Sequence, residues 1–431
     1  YNFVENSGDP EDPNTPGSDT WHGTHVTGTI AADFGDSGAG SGVVGVGWDR
    51  LEVVPIRSLS DAGGFTTDVA RGVLYAIDSP QSAVGGPGTP SPVKVINLSL
   101  GGGGQDSFFY EALEEAIAAG VTVVAAAGNE SGQVIYPAAY DNTIAVSAVD
   151  ATGSQAYYSN YGPEVDFAAP GGDVGVDKNG DGQADGVLST VGNDPGNDSD
   201  YLFFEGTSMA TPHVAGIVGL LYSYEPNLTQ SDIYTILLNT AVDLGTPGRD
   251  NNYGWGLVQA GKALEYLINV GREHGVAPTG RALDPAGAGR PGSVGLSALI
   301  RDRRPGGRGV SRRGAIRPTA GAERHPTRIL VRLEDGGGAG RAPSRRETVR
   351  QAQALLDLHP EARVPQEGKA STGPDAAGAA GPTDLSWAVE APGVIILEAE
   401  SPEAWLGLLE NLASDPAVRY AQPVYRYRPI W

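Results

Sequence analysis

The sequence predicts an α/β protein, a parallel sheet with helices on both faces, joined through a linker to a smaller α+β module. Three observations carry this. Apolar strand-like runs alternate with amphipathic helices through residues 1–270, the pattern that a parallel sheet covered on both faces requires. The charge changes sign along the chain: residues 1–270 carry 7 Lys+Arg against 34 Asp+Glu, a balance of −27, and residues 271–431 carry 22 against 18, a balance of +4. The end of the chain then has its own order of strand and helix signals, and 431 residues leave room for both bodies at about 150 residues per domain.

The elements follow in order. His22-Gly23-Thr24-His25-Val26-Thr27-Gly28-Thr29-Ile30 has the apolar positions of a buried helix. Glu52-Val53-Val54-Pro55-Ile56 reads as a strand, followed by a helix with Val69, Val73, Ala76 and Ile77 on one face and a strand over Val93 to Leu98. Phe109, Ala112, Leu113, Ala116 and Ile117 then mark a helix that Gly120 stops, and Val121 to Ala127 is the next strand. Open parallel sheets place ligands beyond the carboxyl ends of their strands. Chemistry is therefore expected at Ser99-Leu100-Gly101 and at Gly128-Asn129.

Residues 271–326 are rich in Gly, Ala, Pro and Arg without a sustained apolar period, as a solvated linker is. Beyond it come a strand at Arg328 to Val331, a helix opened by the capping box Ser344-Arg345-Arg346-Glu347, and strands at Leu385 to Val389 and Val394 to Leu397. A helix starting at Ser401-Pro402 carries Trp405, Leu408, Leu409 and Leu412 on one face, and a strand follows from Val418 to Tyr427. The order β-α-β-β-α-β over residues 327–431 predicts a small ferredoxin-like α+β domain.

Composition narrows the function. A net charge of −23 repels phosphate backbones, which argues against a nucleic-acid partner. With no cysteine, disulfides, thiolate metal sites and cysteine nucleophiles are excluded. The apolar runs fall far short of the ~20 residues that cross a bilayer, so no membrane span is expected. The chain begins at Tyr1 and its one methionine is Met209, which reads as a fragment or a processed chain.

Three short islands carry chemistry. One opens at His22; a second, Gly206-Thr207-Ser208-Met209-Ala210-Thr211-Pro212-His213, sets a serine among small residues at the start of a helix; the third is Ala126-Ala127-Gly128-Asn129. A serine needs an imidazole to take its proton, and an oxyanion needs preorganised donors such as first-turn N–H groups or the Asn129 side chain. His25, His213 and Met209 read as packed helix residues.

The islands resemble the subtilisin-like serine proteases in kind and in order, over about Trp21 to Leu267. The resemblance implies an extracellular serine endopeptidase with His22 as general base and Ser208 as nucleophile. Asn129 and the Ser208 N–H would donate to the oxyanion. Peptide substrates would add as a strand along Ser99, Leu100 and Gly101, with Ala126, Ala127 and Gly128 walling the primary pocket. The family's third triad member, an aspartate at the end of an early core strand before the histidine, is expected to be absent from this chain, because Asp9, Asp12 and Asp19 lie in a Gly/Pro/Asn-rich loop without a preceding strand. In subtilisin itself, loss of that aspartate costs about 3 × 10⁴ in kcat. Residues 1–431 are therefore expected to be a crippled protease, the alternative being a fragment or fusion that acts as a binding or inhibitor module.

Asp177-Lys178-Asn179-Gly180-Asp181-Gly182-Gln183-Ala184-Asp185 puts oxygen side chains of Asp177, Asn179, Asp181, Gln183 and Asp185 at calcium-loop spacing, with Leu188 in place of the final bidentate Glu. A structural calcium site is expected, a solvated acidic turn being the competing reading. Asp415-Pro416-Ala417-Val418-Arg419-Tyr420-Ala421-Gln422-Pro423 resembles the end of a subtilase propeptide. This implies an inhibitor module whose last strand, carrying Arg419, Arg426 and Arg428 among tyrosines, docks on the acidic body at Ser99-Leu100-Gly101. The usual order of propeptide and protease is reversed here, which reads as a permutation, a fusion or an assembly boundary.

Overall fold

The computed structural model describes residues 2–4, 21–33, 42–60, 63–78, 93–178, 180–192, 201–273, 324–333, 348, 351–352, 354–355, 362–363, 389–391, 394–399 and 405–429. In the first body the elements are α1 (His22–Ala31), β1 (Gly64–Phe65), α2 (Thr66–Asp78), β2 (Val95–Leu98), β3 (Leu100–Gly101), α3 (Ser107–Ala118), β4 (Thr122–Ala126), β5 (Ile144–Val149) and β6 (Phe167–Pro170). The hairpin strands β7 (Val187–Thr190) and β8 (Tyr201–Phe204) follow, then α4 (Thr207–Tyr224), α5 (Gln230–Thr240) and α6 (Ala260–Glu273). The sheet β2-β4-β5-β6 is parallel throughout, with Leu98 opposite Ala125 and Val124 opposite Ile144. The fold class is the α/β one expected.

Alternation across the pleat splits the core in two. Val123 and Ala125 of β4 face a cluster with Phe109 and Leu113 of α3, whereas Val124 faces Val214, Ile217 and Leu221 of α4. Small strand residues let helices pack close on both sides. Local signals set the ends of α3: the Asp106 side chain accepts from Phe109 N–H at its start, and Gly120 at φ +85° turns the chain beyond its end.

Three sequence expectations shift. Glu52 to Ile56 is not a strand, and the bridges nearby are those of Arg57 with Asn2 and of Ser60 with Gly63; an apolar run with no partner strand beside it cannot form a ladder. Strand 328–331 lengthens to Arg324–Leu333, and the last strand to Val418–Pro429. Residues 274–323, the 344–347 capping box, residues 385–388 and Asp9, Asp12 and Asp19 lie outside the described residues.

The second body has β9 (Arg324–Leu333), β10 (Ala362–Arg363), β11 (Val389–Ala391), β12 (Val394–Ala399), α7 (Trp405–Ser414) and β13 (Val418–Pro429). Its antiparallel sheet runs β13-β9-β12, with β10 and β11 both pairing with β12. Ile329, Val331 and Leu333 pack with Leu408, Leu409 and Leu412 of α7, while Leu330, Val394, Tyr420 and Val424 on the opposite face join the Phe109 cluster of the first body. That is period-two alternation with a different body against each face. Past its own sheet, β13 runs antiparallel to β1, with Tyr427 opposite Gly64, and to β3, with Arg428 opposite Gly101 and Pro429 opposite Leu100.

Candidate active site

Ser208 is the second residue of α4 and is fully buried. Its Oγ donates to the Ser99 carbonyl at 3.3 Å, the Ser99 Oγ donates back to the Ser208 carbonyl at 2.8 Å, and Asn97 Nδ2 donates to Ser99 Oγ at 3.0 Å. The end of β2 and the start of α4 are thus stitched together by side chains. Met209 and Ala210 N–H turn back to Gly206 O. The Ser208 N–H stands in the first turn, where an α-helix supplies no acceptor of its own.

Asn129 follows β4, and Thr207 fixes its orientation. The Asn129 Oδ1 accepts from Thr207 N–H at 2.9 Å and from Thr207 Oγ1 at 2.8 Å, while Thr207 Oγ1 accepts from Gly128 N–H at 3.1 Å. With Oδ1 engaged, the amide presents its NH2 as the donor. The turn beneath is held by Asn160, whose Oδ1 accepts from Glu130 and Gly132 N–H, both at 2.9 Å, and whose Nδ2 donates to Ala127 O at 3.1 Å. Gly128 is required here: its φ is +110°, and a Cβ would lie 2.2 Å from Asn160 Nδ2.

His22 opens α1, which packs against α4, and it is 9% exposed. His25, one turn on, is locked into the scaffold: Nε2 lies 3.0 Å from Val187 O and 3.1 Å from Leu202 O, and the ring stacks on Phe204 at 4.3 Å. Two carbonyl partners make Nε2 the protonated nitrogen. Burial pushes the His25 pKa down to about 4, with the two carbonyl bonds raising it in part. His213 Nδ1 sits 2.8 Å from Met209 O, its pKa is lowered by burial, and Met209 is itself buried. The three are packed helix residues, as the sequence suggested.

Ser99 is buried beside Ser208, and Leu100 and Gly101 form the edge that β13 pairs with. Ala126 and Ala127 are fully buried, and the Ala127 N–H and O both engage protein backbone, Val146 O at 3.0 Å and Ile135 N–H at 3.1 Å. What this segment offers a ligand is therefore its shape and the Gly128-Asn129 turn.

The 177–185 loop curls around the Asp177 carboxylate, which accepts from Gly180, Asp181 and Gly182 N–H at 2.7, 3.2 and 3.0 Å. Asp181 accepts from Gln183 N–H at 2.8 Å, and the side chain of Gln183 is exposed. Asp185 is 6% exposed; its Oδ2 accepts from Lys178 N–H at 2.5 Å, and its Oδ1 is buried with no hydrogen-bond partner. Asn179 lies outside the described residues. Among the described residues no three His, Asp or Glu side chains converge as a metal cluster. The orphaned Oδ1 of Asp185 nevertheless fits a cation, since a buried carboxylate oxygen needs a positive partner.

Residues 1–256 match the peptidase S8, or subtilase, family. The chain belongs to the subtilase family. This subtilase is 40% identical over 260 residues to an extracellular protease of Xanthomonas campestris pv. campestris, covering 58% of this chain and 41% of that protein. It is 37% identical over 246 residues to a thermostable alkaline protease of Halalkalibacterium halodurans, covering 57% of this chain and 58% of that one. A solved protease structure from Pseudoalteromonas arctica is 37% identical, at a TM-score of 0.48, over 57% of this chain and 70% of that one. The chain spans about half the length of the curated relatives it matches. No helix among the described residues is long and apolar enough to cross a membrane.

Thr207 and Asn160 escaped the sequence reading. Thr207 lies inside the motif that carries the serine, and its hydroxyl beside the nucleophile is the signal for its orienting role. Asn160 had no signal, since it acts across about thirty residues of sequence.

Proposed function

We propose that the subtilase body is a serine endopeptidase in which Ser208 attacks the peptide carbonyl and His22 takes the Ser208 proton and returns it to the leaving amine. The Asn129 NH2 and the Ser208 N–H hold the oxyanion. The observation that carries this reading is the Thr207 bridge, which engages the Asn129 Oδ1 and so makes the NH2 the donor end of an amide held beside the helix that bears Ser208. No carboxylate of residues 1–431 is assigned to orienting His22, so residues 1–431 alone should react slowly. Substrate strands add along Ser99, Leu100 and Gly101, with Ala126, Ala127 and Gly128 forming the pocket wall, and the protein acts outside the cell.

Residues 327–431 are read as a ferredoxin-like, propeptide-type inhibitor module, joined to the 1–270 body by the 271–326 linker. Its last strand holds the substrate strand position, a reading supported by the pairing of Arg428 with Gly101 and of Tyr427 with Gly64. Backbone pairing of this kind gives affinity through strand addition. Calcium is proposed for the 177–185 loop, with Asp177, Asn179, Asp181, Gln183 and Asp185 as ligands; it would clamp a surface loop that no disulfide can hold. The support is the buried, unpartnered Asp185 Oδ1.

A fluorophosphonate probe tests the enzyme reading. Slow labelling of the folded chain that Ser208→Ala abolishes supports it. A well-folded chain that never labels, even when extended at its N-terminus by an Asp-bearing subtilase strand, overturns it in favour of a binding or inhibitor chain.

A further inference from the structure

At the corner where α3 begins, a buried carboxylate lies directly beneath the second body. Asp106 is fully buried. From the first body, Thr66 Oγ1 donates to its Oδ2, Phe109 N–H donates to its Oδ1 at 3.0 Å, and Tyr140 Oη both accepts from Asp106 N–H at 2.7 Å and donates to Asp106 O at 2.8 Å. The roof comes from β13. Gln422, itself fully buried, accepts from Ser107 N–H at 2.8 Å through Oε1, and its Nε2 is buried without a hydrogen-bond partner. Tyr425 lies so close to Gly104 that a Cβ there would meet its ring at 2.2 Å, and Tyr427 Oη donates to Gly104 O at 3.1 Å.

The titratable groups that sense Asp106 are the phenols of Tyr140, Tyr420 and Tyr427. The charged groups of the same interface are occupied with one another: Glu111 lies 3.6 Å from Arg332 and 3.8 Å from Arg419, and it accepts from Tyr420 Oη at 3.3 Å. Burial raises the Asp106 pKa; Thr66, the Phe109 N–H, Gln422 and the Phe108 N–H offset this in part, and no cation contributes.

We propose that the contact between the two bodies is a proton-linked latch closed by Asp106: β13 stays on the first body while Asp106 carries a proton and lifts when the proton leaves to water. This rests on the reading of residues 327–431 as the occupant of the substrate strands and supplies its regulation. Seating β13 strips water from the corner, so the docked state holds the Asp106 proton more tightly than the lifted state, where the corner is solvated. The sign follows. Docking is strongest below the ordinary carboxylate range, weakens as pH climbs from that range to the raised value, and then levels off. The proton discriminates between two arrangements, as an effector must.

Hydrogen–deuterium exchange on the intact chain tests the latch without requiring Ser208 to react. Protection of residues 104–109 and 418–429, corrected for intrinsic exchange, is followed from about pH 4 to 8, with residues 122–126 of β4 as the internal reference. The wild-type chain should lose protection at least about threefold as pH rises, with the reference unchanged. Asp106→Asn, which keeps a capping side chain but cannot ionise, should stay protected throughout. Identical profiles for the two chains overturn the proposal. Thr66→Val guards against an Asp106 variant that does not fold: it removes a donor that stabilises the carboxylate, so the loss of protection should move to higher pH. An unmoved profile in that variant also overturns the latch.

Discussion

Every residue of β4 and β5 is buried, whereas β13 begins in one sheet, ends between two strands of another body, and meets that body through Glu111, Gln422 and three tyrosines. The parallel sheet is held by apolar packing on both faces, and the candidate site residues Ser99 and Asn129 sit just past its strand ends. The antiparallel sheet has its own apolar core on the α7 side only. On the other side its hold is mixed, partly apolar and partly through polar groups whose worth depends on protonation and salt. A fixed scaffold suits chemistry that needs sub-ångström placement. A mixed, partly polar face suits a body proposed to come off.

Three measurements press on that contrast, the largest effect first. Asn129→Ala should lower kcat by about 10²–10³-fold, the magnitude known for the oxyanion-hole asparagine of subtilisin itself, with KM little changed. Steady-state peptide hydrolysis by residues 1–431 extended at the N-terminus by an Asp-bearing subtilase strand reads it, and an unchanged kcat would break the rigid-site half of the comparison.

The second measurement concerns acid stability of the scaffold. His25 is neutral in the fold, with a pKa pushed down to about 4 from 6.5. Its contribution is therefore fully present above about pH 6.5 and is lost as pH falls toward 4, on the order of 3 kcal/mol in all. Asp166 works with the opposite sign, because burial raises it to about 6, so its protonated form is the one the fold favours. Comparing denaturant unfolding of wild type with His25→Gln cancels the Asp166 part. The difference between the two curves should shrink as pH drops from 6.5 to 4; a constant difference would contradict the neutral, locked imidazole.

The smallest effect is expected at the interface. Glu111→Gln removes one partly exposed charge from between Arg332 and Arg419 and should cost no more than about 1 kcal/mol of docking. The exchange protection of residues 418–429 should respond more at low salt than at high salt. A loss that ignores salt would show that apolar packing dominates the contact.

Much of the first body was legible because its signals are local. The 3.6-residue spacing from Phe109 to Ile117 gave α3, and the islands at His22, Asn129 and Ser208 each fit within a dozen residues. What stayed hidden depends on contacts remote in sequence. Nothing near Asp106 announces that Gln422, 315 residues away from Ser107, will cap the same corner, and nothing near Asn160 places it under the Asn129 turn. The strand expected at Glu52 to Ile56 failed for a related reason, since apolar character describes one segment while a ladder needs two.

The 12 residues of β13 also act as a ruler. At about 3.3 Å per residue the strand spans on the order of 40 Å, and its near end is clamped where Tyr420 and Gln422 meet α3. The clamp therefore sets which residue arrives opposite Gly101, much as a fixed zero sets a scale. Inserting one residue between Gln422 and Tyr427 would slide Arg428 past its mark and turn each following side chain to the opposite face. The irregular step in the ladder between Pro423 and Tyr425 is part of that calibration, because it sets the phase in which Tyr427 turns inward. The distance between clamp and cleft is thus written into the chain as a count of residues.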